Sequence, residues 1–303
     1  MLLSMRNVAV GSILLLSLCC CSLVSAEESD GTAKVSVNIA GYKTKHDVTE
    51  HSFIDKDARD IQNAMRAPRT AAGFAEALKI YNDGKNSRTI TKARTISEFW
   101  PGAHTNSVGL NHLDQPFWKM FQDYKALTNF DPHLGAVAAM KGENSDTQGD
   151  YVGNRVAKHV DFRDQVIKKN IEFQIVMVYA LHELEIAIEA YVEAKGSEIA
   201  QTYVDVWWAF YAGSLEPGTG VGGYGPYALA ARRSKFFGTG TAVIGNGGVS
   251  KVNDILLKAT VEISRLMSKA GNAPAMNNIM KCVRAQLKIP LIQGCIMYGT
   301  KLL

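Results

Sequence analysis

Four side chains near the middle of the chain have the types and spacing of a helical metal site: His182, Glu185, Glu189 and Glu193. At ~100° per residue they fall within a stripe roughly 80° wide, and Leu181, Leu184, Ile188 and Val192 occupy the adjoining face. An imidazole and a carboxylate at i and i+3 can reach one ion, which is how helical bundles often hold metals in their cores. The same spacing also describes a solvated acidic face with His182 at its edge, and an HxxE pattern alone does not separate the two.

A second set of candidates is aromatic and glycine-rich. Trp207, Trp208 and Phe210 read as core, because an aromatic stripe on a helix normally packs. Tyr211 and Glu216, on either side of Gly213-Ser214-Leu215, offer a phenolate and a carboxylate, hard oxygen donors suited to a trivalent cation. Tyr81 stands in a similar place, since Tyr81-Asn-Asp-Gly84 echoes Tyr211-Ala-Gly213 as two related half-bundles would. Tyr224 and Tyr227 are further phenols close by. Arg232 and Arg233 are ordinary surface residues on one reading, and on the other a planar fork for a planar oxyanion. His104, His112, His133 and His159 lack ligand-like spacing and read as surface or capping residues.

Several chemistries have no sequence support. The glycines of 218–223 follow no strand and precede no Gly-Lys-Ser/Thr, so they do not form a nucleotide loop. Neither a G-x-S-x-G elbow nor an H-E-x-x-H motif is present. Lys plus Arg number 33 against 29 Asp plus Glu without a long basic run, which gives no footprint for nucleic acid.

The elements that must position these groups are helical. Asp55 to Arg66 carries Ala58, Ile61, Ala64 and Met65 at helical intervals. Thr70 can cap a helix bearing Phe74, Ala77, Leu78 and Tyr81, which Asn82-Asp83-Gly84 ends. Residues 97–154 read as a long irregular excursion with short helices around Phe117 to Leu127. Phe162 to Lys195 reads as one long helix, Ser197 to Tyr211 as the next, and Pro226 opens a short helix carrying the two arginines. Helices from about Val249 to Ala270 and from Pro274 onward complete the chain. β-Branched alternation is scarce, so the expected fold is mainly α: a helical bundle with a long irregular insertion.

A basic start, an apolar stretch from Val8 to Leu18 and Val24-Ser25-Ala26 mark residues 1–26 as a secretory signal. An extended arm is expected over 27–52, and the helical domain over 53–303. Secretion, or a periplasmic or cell-surface place, follows from the signal, although no Asn-x-Ser/Thr triplet for glycosylation is present. Once the signal is removed only Cys282 and Cys295 remain, and an oxidising compartment suggests one disulfide between them. In a straight helix the pair would lie ~20 Å apart, so that bridge requires a turn near Pro290.

Three stretches together carry a family likeness: Ile80-Tyr-Asn-Asp-Gly-Lys-Asn-Ser87, Phe210-Tyr-Ala-Gly-Ser-Leu-Glu216 and Tyr227-Ala-Leu-Ala-Ala-Arg-Arg-Ser-Lys-Phe-Phe-Gly-Thr239. From about residue 50 to the end, the chain resembles the low-iron-inducible periplasmic proteins of algae, whose marine relatives are called phytotransferrins. The resemblance implies a non-catalytic protein outside the plasma membrane that captures Fe(III), with carbonate as a synergistic anion and a cell-surface reductase or receptor taking the iron onward. It also implies a link to growth in high carbon dioxide. Cysteines that accompany the arginine motif in relatives are replaced here by Ser234 and Gly240, and no C-terminal anchor of the kind some marine relatives carry is expected. A more distant likeness is to imelysin-type bacterial proteins, whose HxxE motif His182 and Glu185 match. The competing expectations are a metal-dependent or carbon-dioxide-handling enzyme built on that pair, and a structural cell-surface protein.

Overall fold

Caps and breakers start and stop the helices close to where periodicity expects them. The structure, a computed structural model, describes residues 36–66, 70–89, 91–100, 131–142, 160–193, 197–215, 223–240 and 249–302. A two-residue antiparallel pair, β1 (Asn38–Ile39) and β2 (Tyr42–Lys43), precedes a mainly α bundle. The helices are α1 (Thr49–Ser52), α2 (Ile54–Arg66), α3 (Ala71–Asp83), α4 (Pro132–Lys141), α5 (Val160–Asn170), α6 (Val176–Val192), α7 (Ser197–Ala212), α8 (Pro226–Phe237), α9 (Lys251–Leu266) and α10 (Ala273–Leu302). The Thr70 hydroxyl accepts from the Gly73 N–H to cap α3, and Gly84, at φ 69°, ends it. Pro226 sits in the first turn of α8, where its missing N–H costs nothing.

The expected long helix from Phe162 is a continuous rod, but it is not uniform. Between α5 and α6, Ile171–Ile175 winds as a π segment with helical backbone on both sides. Such a segment inserts one residue and rotates everything downstream by ~100° relative to an unbroken helix. Ile171 and Ile175 at its two ends and Ile167 just before it are buried, and α6 then docks on α7, the most extensive helix pairing among the described residues. The aromatic stripe packs as expected. Trp207 Nε1 donates to Thr260 Oγ1 at 3.0 Å, and Trp208 Nε1 donates to the Ile39 carbonyl at 2.7 Å.

Two expectations are corrected. The arm expected over 27–52 is not loose from residue 36 onward, because Asp205 of α7 holds it. That carboxylate, fully buried, accepts from the Tyr42 hydroxyl at 2.7 Å, the His46 N–H at 2.9 Å, the Lys45 N–H at 3.0 Å and Gln201 Nε2 at 2.9 Å. The disulfide is absent as well: Cys282 and Cys295 are both free thiols, the first buried and the second exposed. Pro290 removes one helical hydrogen bond but does not end α10, so no turn brings the sulfurs together. Of the irregular excursion, the described parts are a 3-10 turn, Ser97–Phe99, and α4. The short helices expected near Phe117 to Leu127, the signal segment and Glu216 lie outside the described residues. Among the described residues no helix is long and apolar enough to cross a membrane.

Two outcomes follow from this packing. Asp205→Ala removes the buried acceptor that ties Tyr42, Lys45 and His46 of the arm to α7 and should destabilise the fold by roughly 3–5 kcal/mol, read by urea denaturation. A thiol reagent should label Cys295 in the folded protein and reach Cys282 only on unfolding, with reductant leaving the melting temperature unchanged.

Candidate functional site

Helix α6 carries the histidine and acids that the sequence singles out, and the fold distributes them among different partners. The Glu185 carboxylate is buried and takes two bonds from Arg284 of α10, at 2.8 Å from Nε and 2.7 Å from Nη2. Burial pushes Glu185 up and the Arg284 charge opposes that rise. The His182 ring lies 5.7 Å from the Tyr179 ring, one turn back, while Glu189 is half-buried and Glu193 exposed. A guanidinium thus occupies the face on which an ion was expected. Among the described residues no three His, Cys, Asp or Glu side chains come together to hold a metal ion.

Glu183, which spacing turns away from that stripe, is the more deeply buried acid. Its charge acts on Arg94, whose Nη1 donates to the Tyr179 hydroxyl at 3.1 Å and whose guanidinium lies 5.6 Å from the Phe210 ring centre. Burial raises Glu183, and the Arg94 charge opposes it. His51 packs against Phe210 at 5.8 Å, and burial followed by the Arg94 charge pushes its imidazole down to about 4.

The two tyrosines that echo each other in sequence are both fully buried and are both followed by a glycine of positive φ. Their surroundings differ. The Tyr211 hydroxyl donates to Asn253 Oδ1 at 2.7 Å inside an aromatic cage of Trp207, Trp208 and Tyr227. Just beyond it, Gly213 lies so close to Asp55 that a Cβ there would meet Oδ2 at 2.7 Å. Asp55 accepts from the Ser214 hydroxyl at 2.9 Å, keeps Oδ1 without a partner, and is pushed up to about 6 by burial.

Tyr81 has donors of a different kind beside it. Its hydroxyl lies 2.7 Å from His133 Nδ1, and the two rings stack at 5.7 Å. Asp131 caps α4, its Oδ1 accepting from the Leu134 N–H at 3.0 Å, and stands close enough for its charge to oppose ionisation of Tyr81. Burial is the first cause of the raised Tyr81 phenol and Asp131 the second. A phenol, an imidazole and a carboxylate make the mixed oxygen and nitrogen set that a hard trivalent cation takes. A bound cation would reverse the local electrostatics and favour the phenolate.

Of the arginines, Arg232 is held by Glu172 of the π segment at 3.3 Å and donates to the Gly223 carbonyl at 2.6 Å. Glu172 is fully buried and also accepts from Gln62 Nε2. Arg233 is buried and its Nη1 reaches Met297 Sδ at 3.1 Å.

The sequence model of a family described as low iron-inducible periplasmic protein matches residues 12–298. The chain belongs to that family. Comparison with curated proteins and with solved structures gives no match. Of the candidate ligands, Tyr81 lies beside an imidazole and a carboxylate, whereas the His182 ring lies against Tyr179 and Glu185 is held by Arg284. His133, Asp131, Glu172 and Arg284 are the residues that sequence reasoning passed over. Proline at the first position of α4, after an Asp, was the one local signal that placed Asp131 and His133 at a helix start.

The His51 shift gives a pH-dependent stability. An unfolded imidazole titrates near ~6.5, so between that pH and about 4 the unfolded chain takes up a proton the folded one refuses. The contribution is complete above ~6.5 and falls by about 3 kcal/mol as pH drops through the folded value. Asp55 acts in the opposite sense between 3.8 and about 6. His51→Phe keeps the packing on Phe210, so the difference between the wild-type and variant stability curves should isolate a slope present only in the wild type.

Proposed function

We propose that this chain captures Fe(III) outside the plasma membrane, with carbonate as the synergistic anion, as a secreted or cell-surface protein that hands iron to a reductase or receptor. Iron is cargo here, and the role is binding rather than catalysis. The observation that carries the reading is the Tyr81 hydroxyl against His133 Nδ1, with Asp131 beside them, in a chain of a low-iron-induced family. Tyr81 would give a phenolate, its proton passing to solvent, while neutral His133 would be a nitrogen donor and Asp131 would supply negative charge. Arg232 or Arg233 would hold the carbonate through the guanidinium fork.

Each protein donor must lose its proton to bind, and protonation also removes the charge of carbonate, so both effects weaken binding in acid. Iron added to the purified mature chain with bicarbonate should produce a visible tyrosinate-to-iron charge-transfer band. Affinity should fall steeply between about pH 7.5 and 5, where ordinary imidazoles titrate. Tyr81→Phe should abolish most of the band and lower affinity at least ~100-fold, the loss of ~3 kcal/mol. Glu185→Gln should change it little. An unchanged band in Tyr81→Phe would refute the assignment, and zinc-dependent turnover of an ester or bicarbonate would favour an enzyme.

A further inference from the structure

Tyr42 combines two features that the other buried phenols described above do not combine: a carboxylate that can take its proton and an indole against its ring. Tyr42 is 2% exposed, its hydroxyl donates to Asp205 Oδ1 at 2.7 Å, and its oxygen accepts from Gln201 Nε2 at 3.0 Å. Burial, and then the Asp205 charge, hold the phenol well above its ordinary range, so it keeps its proton at rest.

The acceptor can take that proton without rearranging. Asp205 Oδ2 meets the Lys45 N–H at 3.0 Å, the His46 N–H at 2.9 Å and His46 Nδ1 at 2.8 Å, whereas Oδ1 faces the phenol and Gln201 Nε2. A proton arriving on Oδ1 leaves the contacts of Oδ2 in place. The resulting carboxylic acid can donate back to the phenol oxygen, to which Gln201 already donates.

The electron has a route as well. The Trp208 ring meets the Tyr42 ring edge-on with centres 6.2 Å apart, Tyr211 lies 5.5 Å from Trp208, and Trp207 lies 5.3 Å from Tyr211. Indole and phenol give up a single electron far more readily than a phenyl ring does, and phenol does so most readily when its proton leaves at the same time. Tyr211 donates to the amide oxygen of Asn253, which is a poor base. Tyr179 has Glu183 beside it, but its ring neighbours are Phe99, Phe210 and His182 rather than an indole.

We propose that Tyr42 is a redox-active tyrosine that drains oxidising equivalents from the Trp207 and Trp208 core, with Asp205 as its proton acceptor. The oxidant is of the oxygen-radical class, such as an organic peroxyl radical at the surface. It takes one electron from buried Trp208 by tunnelling and, with a proton from solvent, becomes a hydroperoxide. The Trp208 radical cation is refilled by an electron from Tyr42 as the phenol O–H bond breaks and its proton passes to Asp205 Oδ1, which leaves a neutral phenoxyl and a carboxylic acid. One electron from a small reductant such as ascorbate, with the proton returning from Asp205, restores the phenol. This role does not depend on where iron binds.

Iron-free protein is oxidised by a flash-generated ruthenium(III) tris-bipyridine complex and followed by transient absorption, electron paramagnetic resonance and difference infrared spectroscopy. In the wild type a tryptophan radical should decay as a neutral tyrosyl radical rises, more slowly in heavy water, together with the carbonyl band of a newly protonated carboxyl group. Tyr42→Phe should lose the tyrosyl signal and the carboxyl band and keep the tryptophan radical. Trp208→Phe leaves Tyr42 and its acceptor in place and should lose most of the tyrosyl yield, which keeps the test decisive if Tyr42→Phe does not fold. A purely structural Tyr42 would give no tyrosyl radical in the wild type. That result, a tyrosyl radical without the carboxyl band, or an undiminished tyrosyl yield in either folded variant overturns the proposal.

Discussion

The requirement that buried charge be answered organises this bundle. Glu183 is answered by Arg94, Glu185 by Arg284, Glu172 by Arg232, and Asp205 by donors from the N-terminal arm and α7. Each pairing joins elements far apart in sequence, so the same contacts that neutralise charge also fix how the helices dock. Breaking one partner leaves the other stranded in a low dielectric, which costs more than the pair itself contributes. The residues that escape this rule are therefore informative. Among the described residues, Arg233 Nε and Asp55 Oδ1 are two of the buried side-chain atoms without a hydrogen-bond partner, and each side chain packs closely against a glycine, Gly294 and Gly213.

Much of the fold was legible because helices announce themselves locally. The apolar spacing of α2, the Thr70 cap, the glycine that ends α3 and the proline that opens α8 are all decided within a few residues. What was not legible depends on longer range or on helical phase. Helical spacing groups His182, Glu185 and Glu189 on one stripe of α6, but nothing in that spacing reveals that Arg284, 99 residues from Glu185, lies against it. His133 was dismissed for lack of spacing, and its pairing with Tyr81, 52 residues away, exists only because α4 docks on α3. The π segment, which rotates α6 relative to α5, has no signature in composition.

The disulfide failed for a related reason. A cysteine count and a compartment give an expectation about chemistry, while the bridge is a matter of distance. Helix α10 runs through Pro290 and holds Cys282 inside and Cys295 outside. The tyrosine echo was sounder as geometry than as chemistry. Both phenols end buried before a positive-φ glycine, yet Tyr211 is satisfied by an amide inside a cage of rings, whereas Tyr81 meets an imidazole with a carboxylate nearby. Residue type at the next helix, rather than the motif itself, separates a structural tyrosine from a candidate ligand.

The central claim is that Tyr81 and His133 hold the ferric ion, and the most direct test is to locate the metal. A crystal of the iron-loaded chain, measured above and below the iron absorption edge, should show one anomalous difference peak within bonding distance of the Tyr81 hydroxyl oxygen and a His133 ring nitrogen. A peak between His182 and Glu185, or one away from Tyr81 altogether, would contradict the account.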